Sequence, residues 1–188
     1  MKAIFLDKDG TLIDDIPYNV EPGRMTLCRG AGPALRLLAG LGYRLFVVSN
    51  QDGIADGRFG ESAMVAVATR LADLLAAEEV ALDGFYYCPH HPDGALARYA
   101  CACGCRKPQP GMLLRAAREH GIDLRASWMI GDILHDVEAG NRAGCRSVLI
   151  DNGNETEWRP GPHRTPTGMA PDLAGAAALV AGRGGERR

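Results

Sequence analysis

No run of Lys or Arg dominates this sequence, and its formal net charge is only -2. It therefore lacks the electrostatic footprint that nucleic acid demands. No stretch approaches the ~20 apolar residues of a membrane span. No internal repeat is evident, and Met1-Lys2 leads at once into an apolar run, leaving no room for a signal peptide. These absences point to a cytosolic protein without nucleic-acid or membrane partners. In that compartment its six cysteines are expected as thiols or metal ligands and not as disulfides. What is present, 188 residues with 46% hydrophobic content, suffices for one domain with a sizeable core.

The most informative segment is Ile4-Phe5-Leu6-Asp7-Lys8-Asp9-Gly10-Thr11. A short apolar run reads as a buried strand, and it delivers Asp7 and Asp9 to its carboxyl end. In an open α/β sheet, ligands bind at that edge. Two Asp residues one position apart fall on the same side of an extended segment, able to share one cation and one substrate. Their mutual repulsion calls for a compensating metal or a shared proton. Gly10 permits a sharp exit from the strand, and Thr11 adds a hydroxyl nearby.

The element order reads β-α-β-α-β-α-β-α-β. Strands are expected at Ala3–Leu6, Tyr43–Val48, Phe85–Tyr87, Trp128–Ile130 and Ser147–Ile150. Helices are expected from Gly32-Pro33 through Leu38, from Glu61 onward, over Gly111–His120 and from about Asp136 to Gly144. Met64, Val67, Leu71 and Leu74 recur at helical spacing. Such alternation predicts a parallel sheet flanked by helices with right-handed crossovers. The polar clusters Asp7/Asp9, Ser49-Asn50 and Asp132 then converge on one edge. Residues 1–158 are expected to form the domain. The Pro-, Gly- and Arg-rich segment 159–188 is expected as a loosely packed tail with one weak helical patch at Asp172–Val180, frayed at Arg183–Arg188.

These residues resemble the haloacid dehalogenase (HAD) superfamily of phosphohydrolases, whose four motifs appear here in order. They are Asp7-Lys8-Asp9-Gly10-Thr11, Ser49, Lys107 within Arg106-Lys107-Pro108, and Gly131-Asp132 followed by Asp136. The resemblance implies a Rossmann-like sheet and an aspartyl-phosphate mechanism with Mg²⁺. Asp7 would be the nucleophile and Asp9 the general acid and base. Asp7, Asp132 and the backbone carbonyl of Asp9 would hold Mg²⁺. Lys107, Ser49, Thr11 and backbone N–H groups would receive the phosphate oxygens. Asp136 would orient Lys107 or the metal's waters, or serve as an ordinary acid at a helix N-terminus.

A second constellation is Cys88-Pro89-His90-His91 followed by Cys101-Ala102-Cys103-Gly104-Cys105. Two chelating pairs separated by a loop suit a tetrahedral structural Zn²⁺, with five candidates for four places. This segment and Cys105-Arg106-Lys107-Pro108 look like the D,D-heptose 1,7-bisphosphate phosphatase group, whose nearest relatives include histidinol-phosphate phosphatases. That resemblance selects Cys88, His90, Cys103 and Cys105, leaving His91 and Cys101 spare. It also implies that Arg106 grips a distal phosphate and that Asn50 and Gln51 face phosphate or sugar.

Two departures bear on substrate. Ile133 stands where heptose phosphatases often carry Lys, and His135 where an acidic residue is common. Only about 40 residues separate the first two motifs, too few for a large cap domain. Selectivity is therefore expected from short loops near Pro17–Arg24 and Asp52–Phe59 and from the zinc loop. A monomer is compatible with such an open site. The leading expectation is a Mg²⁺-dependent heptose bisphosphate phosphatase. The enzyme alternative is a histidinol-phosphate or other small-monophosphate phosphatase. The non-enzyme alternative is a catalytically silent zinc-containing binding module, against which the intact Asp7, Asp9, Lys107 and Asp132 argue.

Overall fold

A computed structural model describes residues 1–184. The strands are β1 (Lys2–Leu6), β2 (Tyr43–Asn50), β3 (Gly84–Cys88), β4 (Trp128–Gly131), β5 (Arg146–Ile150) and β6 (Gly168–Ala170). The helices are α1 (Ala31–Gly40), α2 (Asp52–Ala55), α3 (Ala63–Ala76), α4 (Gly111–His120), α5 (Leu134–Ala143) and α6 (Leu173–Gly184). All strand pairs are parallel, in the order β3-β2-β1-β4-β5-β6.

The strands are near-continuous apolar runs because both faces of the sheet are covered. Side chains alternate between two cores. Ile4, Leu6, Leu45, Val47 and Ile130 join Leu35 of α1, Leu71 of α3 and Val180 of α6. Phe5, Phe46, Val48 and Met129 face Leu113 of α4 and Ala139 of α5. The result is a three-layer α/β/α architecture whose order reverses beside β1, so that β1 sits centrally. Loops leaving the carboxyl ends of β1, β2 and β4 therefore meet over one crevice.

The segment expected as a loosely packed tail departs from that reading. Gly168–Ala170 adds to β5 as the edge strand, and Leu173, Ala176, Ala177 and Val180 are fully or almost fully buried. Their helix packs against α1. The physical reason is size: small alanine side chains allow close approach of two helices without a conspicuous apolar stripe. Arg183 lies within α6, and residues 185–188 of the expected frayed end lie outside the described residues. Among the described residues no helix is long and apolar enough to cross a membrane.

Candidate active site

Asp7 follows β1 directly, its N–H donating to the Ile130 carbonyl at 2.9 Å. Gly10 has φ of 75°, and a Cβ there would lie 2.2 Å from Asp132 Oδ2. Only glycine lets the chain leave β1 this close to the fourth motif. Lys107 Nζ reaches between the motifs, 2.5 Å from Asp7 Oδ1, 2.6 Å from Asp136 Oδ1 and 2.9 Å from the Val48 carbonyl. Burial alone would lower the Lys107 pKa, but Asp136 and Asp7 outweigh it and hold the ammonium above its ordinary range.

The carboxylates shift upward as well, which for an acid disfavours the charged form. Burial first, and the charge of Asp7 second, push Asp132 up to about 6. Burial raises Asp136 as well, against the pull of Lys107. Asp7, Asp132 and Asp136 present oxygens within 4.8 Å of one another. Three buried acids at this spacing call for positive charge, and the hard oxygen donors of Asp7 and Asp132 suit Mg²⁺. Asp136 is already committed, to Lys107 and to the Ile133 N–H at 3.3 Å. Gly131 makes this possible, since a Cβ there would meet the Asp136 carboxyl at 2.3 Å.

Asp9 lies beside this cluster with its pKa raised, chiefly by burial, which Lys8 partly offsets. Lys8 Nζ donates to Asp9 Oδ1 at 2.6 Å, and Gln51 Nε2 approaches Asp9 Oδ2 at 3.4 Å. Gln51 also donates to Ser49 Oγ at 2.8 Å. Asp9, Gln51, Asp15, Asp52, Tyr18 and Phe59 help to line a cleft of about 300 Å³.

Beyond β3, Cys88, His90, Cys103 and Cys105 bring one donor atom each within 4.8 Å of the others. The sulfurs lie 3.0–3.4 Å apart, and His90 Nδ1 is 3.6 Å from Cys88 Sγ and from Cys105 Sγ. Burial and the neighbouring sulfurs push the Cys88 thiol well up. A cluster of three thiols and one imidazole converging in this way fits a four-coordinate metal. Cys101 is exposed, and His91 Nδ1 accepts from the Asp93 N–H at 3.1 Å. The cluster also ties down the loop that carries Arg106 and Lys107, because Arg106 N–H donates to Cys103 Sγ at 3.4 Å.

A HAD-hydrolase-like family model matches residues 104–176. The D-glycero-beta-D-manno-heptose-1,7-bisphosphate 7-phosphatase of Photorhabdus laumondii is 47% identical over 152 residues, covering 80% of this chain and 81% of that protein. The enzyme of the same name from Escherichia coli K12 is 43% identical over 152 residues, with 80% of each chain covered. The chain belongs to the HAD-like phosphatases. A crystal structure of D,D-heptose 1,7-bisphosphate phosphatase from B. bronchiseptica, complexed with magnesium and phosphate, agrees in fold. Its TM-score is 0.82 at 32% identity, covering 97% of this chain and 99% of the other.

Within this HAD phosphatase several of the motif side chains are also bonded to one another or to the backbone. Asn50, which helps to line the cleft, also holds Lys107. Its Nδ2 donates to the Lys107 carbonyl at 3.1 Å and its Oδ1 accepts the Lys107 N–H at 3.0 Å, fixing the lysine's backbone. Thr11 Oγ1 donates to Asp132 Oδ1 at 3.3 Å. Arg106 is paired with Asp52. Ile133 and His135 line a second, smaller cavity with Asn154 and Arg164.

Three contributors were not anticipated from the sequence. Lys8, almost fully buried, sits between the two motif acids in sequence and reads there as a spacer. Asn154 donates to Asp132 Oδ2 at 2.6 Å, and Asn152 Nδ2 to the Gly10 carbonyl at 2.8 Å. Both follow β5, so the rule that ligands gather at carboxyl strand ends would have flagged them.

Proposed function

We propose that this phosphatase removes the C7 phosphate of D-glycero-D-manno-heptose 1,7-bisphosphate through an aspartyl-phosphate on Asp7. The observation carrying the reading is the Asp7 carboxylate held by buried Lys107 beside Asp9, whose pKa burial raises, in a chain with relatives of that name.

With Oδ1 taken by Lys107, the other oxygen of Asp7 is left to attack phosphorus, splitting one difficult displacement into two. Asp7, Asp132 and the Asp9 carbonyl would hold Mg²⁺, which would supply the positive charge that an anionic nucleophile needs against an anionic phosphate. Lys107 remains charged and neutralises a phosphate oxygen as well as Asp7. Ser49 Oγ accepts from Gln51 and makes only a long 3.4 Å contact to the Asn50 carbonyl, so its proton is available to a phosphate oxygen. Asp9, whose raised pKa favours the protonated form, gives its proton to the leaving C7 oxygen. It then takes one from the water that opens the aspartyl-phosphate. Lys8 fixes its orientation through both steps.

Zn²⁺ bound by Cys88, His90, Cys103 and Cys105 would be structural, holding the loop that presents Arg106 and Lys107. A monomer in the cytosol completes the reading; a cluster of three thiols and one imidazole suits a metal site in a reducing compartment. A second reading, a small monophosphate such as histidinol phosphate, is favoured by the three acids Asp9, Asp15 and Asp52 lining the cleft.

The test is Mg²⁺-dependent phosphate release from heptose 1,7-bisphosphate anomers, fructose 1,6-bisphosphate and histidinol phosphate, compared by kcat/KM. A preference of about a hundredfold for a heptose bisphosphate, ~2.7 kcal/mol of differential transition-state binding, is the expected result. A preference for histidinol phosphate overturns it.

A further inference from the structure

A bisphosphate brings about three to four negative charges to the site. Its reacting end meets Asp7 and Lys107, and its far end must enter or border the cleft beside Asp9. Among the described residues no Lys or Arg lines that cleft, whereas Asp15 and Asp52 do. Two guanidinium groups adjoin it. Arg58 stacks over the Tyr18 ring at 4.0 Å and is 55% exposed. Arg106 is the better placed, next to Lys107 and tied through its backbone to Cys103.

Arg106 is not free to receive an anion. Its two terminal nitrogens engage the two carboxylate oxygens of Asp52, Nη1 with Oδ1 and Nη2 with Oδ2 at 2.9 Å. This is the fork geometry that a phosphate would otherwise use. The pair is only partly exposed, at 20% for Arg106 and 32% for Asp52. Asp52 opens α2 without capping it, so Arg106 is the visible partner of its carboxylate. At Ile133 the chain offers no replacement cation.

We propose that Asp52 sets how strongly this enzyme favours a second phosphate on its substrate, by competing with that phosphate for the Arg106 guanidinium. The inference rests on the bisphosphate reading above. A far phosphate displaces the Asp52 carboxylate and is then repelled by it, so part of the affinity that Arg106 would give is lost. A substrate lacking that phosphate leaves the ion pair undisturbed.

The experiment compares Asp52→Asn with wild type on heptose 1,7-bisphosphate and on the same heptose bearing only the 7-phosphate. The variant keeps the side-chain shape and removes the charge. KM for the bisphosphate should fall about tenfold with kcat unchanged, and the monophosphate parameters should move less than about twofold. Asp52→Ser should act in the same direction if the amide variant folds poorly. In an Arg106→Gln background the substitution should no longer change the substrate ratio. Normal turnover with an unmoved ratio overturns the inference alone. Equal losses on both substrates also overturn it, marking Asp52 as a loop or sugar contact. A wild-type enzyme that ignores heptose bisphosphate but cleaves histidinol phosphate overturns the functional reading and the inference together.

Discussion

Replacing Lys107 with Met keeps the side-chain stem and removes one buried charge. In the native protein that ammonium is 2% exposed and lies 2.5 Å from Asp7 and 2.6 Å from the fully buried Asp136. Without it, three carboxyl groups within 4.8 Å of one another face no cation. Each like-charged pair at that spacing repels by ~3.5 kcal/mol at an effective dielectric constant of about 20. One group must take up a proton to relieve this. Breaking a buried pair from one side typically costs about 3–5 kcal/mol, which for a chain of this length lowers the melting temperature by roughly 6–20 °C. Urea unfolding of Lys107→Met in Mg²⁺-free buffer at neutral pH should show that loss. Adding Asp136→Asn should restore at least about 1 kcal/mol, because the orphaned charge is then gone. Destabilisation under ~1 kcal/mol, or a double variant less stable than the single one, would refute the assignment of Lys107 as the counter-charge that holds this cluster together.

Other consequences are equally direct. Asp7→Asn should reduce phosphate release by on the order of 10⁴-fold or more while circular dichroism and zinc content stay unchanged; appreciable residual turnover would remove Asp7 as nucleophile. Cys103→Ser should lower the zinc stoichiometry measured by atomic emission, and Cys101→Ser should not, since the Cys101 thiol lies outside the cluster; the opposite pattern would exchange their roles. Asp132, pushed up to about 6 from its ordinary value of 3.8, binds more protons folded than unfolded between those values. Its contribution to the stability of the Mg²⁺-free protein is therefore greatest below the unfolded pKa and is lost as pH rises through about 6. Mg²⁺ needs the ionised form, so the melting-temperature rise it causes should be larger at about pH 7.5 than at about pH 5. Equal shifts at the two pH values would argue against Asp132 as a ligand.

Much of the fold was legible because the buried strands are short apolar runs cut off by polar residues. Helix periodicity around Val67 and Leu71, and Gly111–His120, left little choice between elements. The last strand and helix were not legible as part of the core. Gly168–Ala170 is three residues long, and the buried face of α6 is mostly alanine, which reads as neither core nor surface until a neighbour is known. Asp7, Asp9 and Asp132 could be singled out because each sits in a short local motif just after a strand, and Lys107 because it stands in the Arg106-Lys107-Pro108 motif ahead of α4. The converging sulfur and imidazole donors could be narrowed only by resemblance; their side-chain positions, with His90 turned inward and His91 outward, belong to the folded loop.

The sequence by itself determined the order of the first five strands and the delivery of Asp7, Asp9 and Asp132 to one sheet edge. Those are properties of local pattern: periodicity decides which side of an element is buried, and the carboxyl end of each strand decides where its polar residues emerge. Only the tertiary structure decided that Asn50 clamps Lys107, that Thr11 and Asn154 hold Asp132, and that Asp52 occupies Arg106. Each of these depends on which hydrogen-bonding or charged side chains meet across the crevice. Partners as far apart as Asp52 and Arg106 leave no periodic trace in the chain, because their pairing is fixed by the packing of separate loops and not by any local repeat.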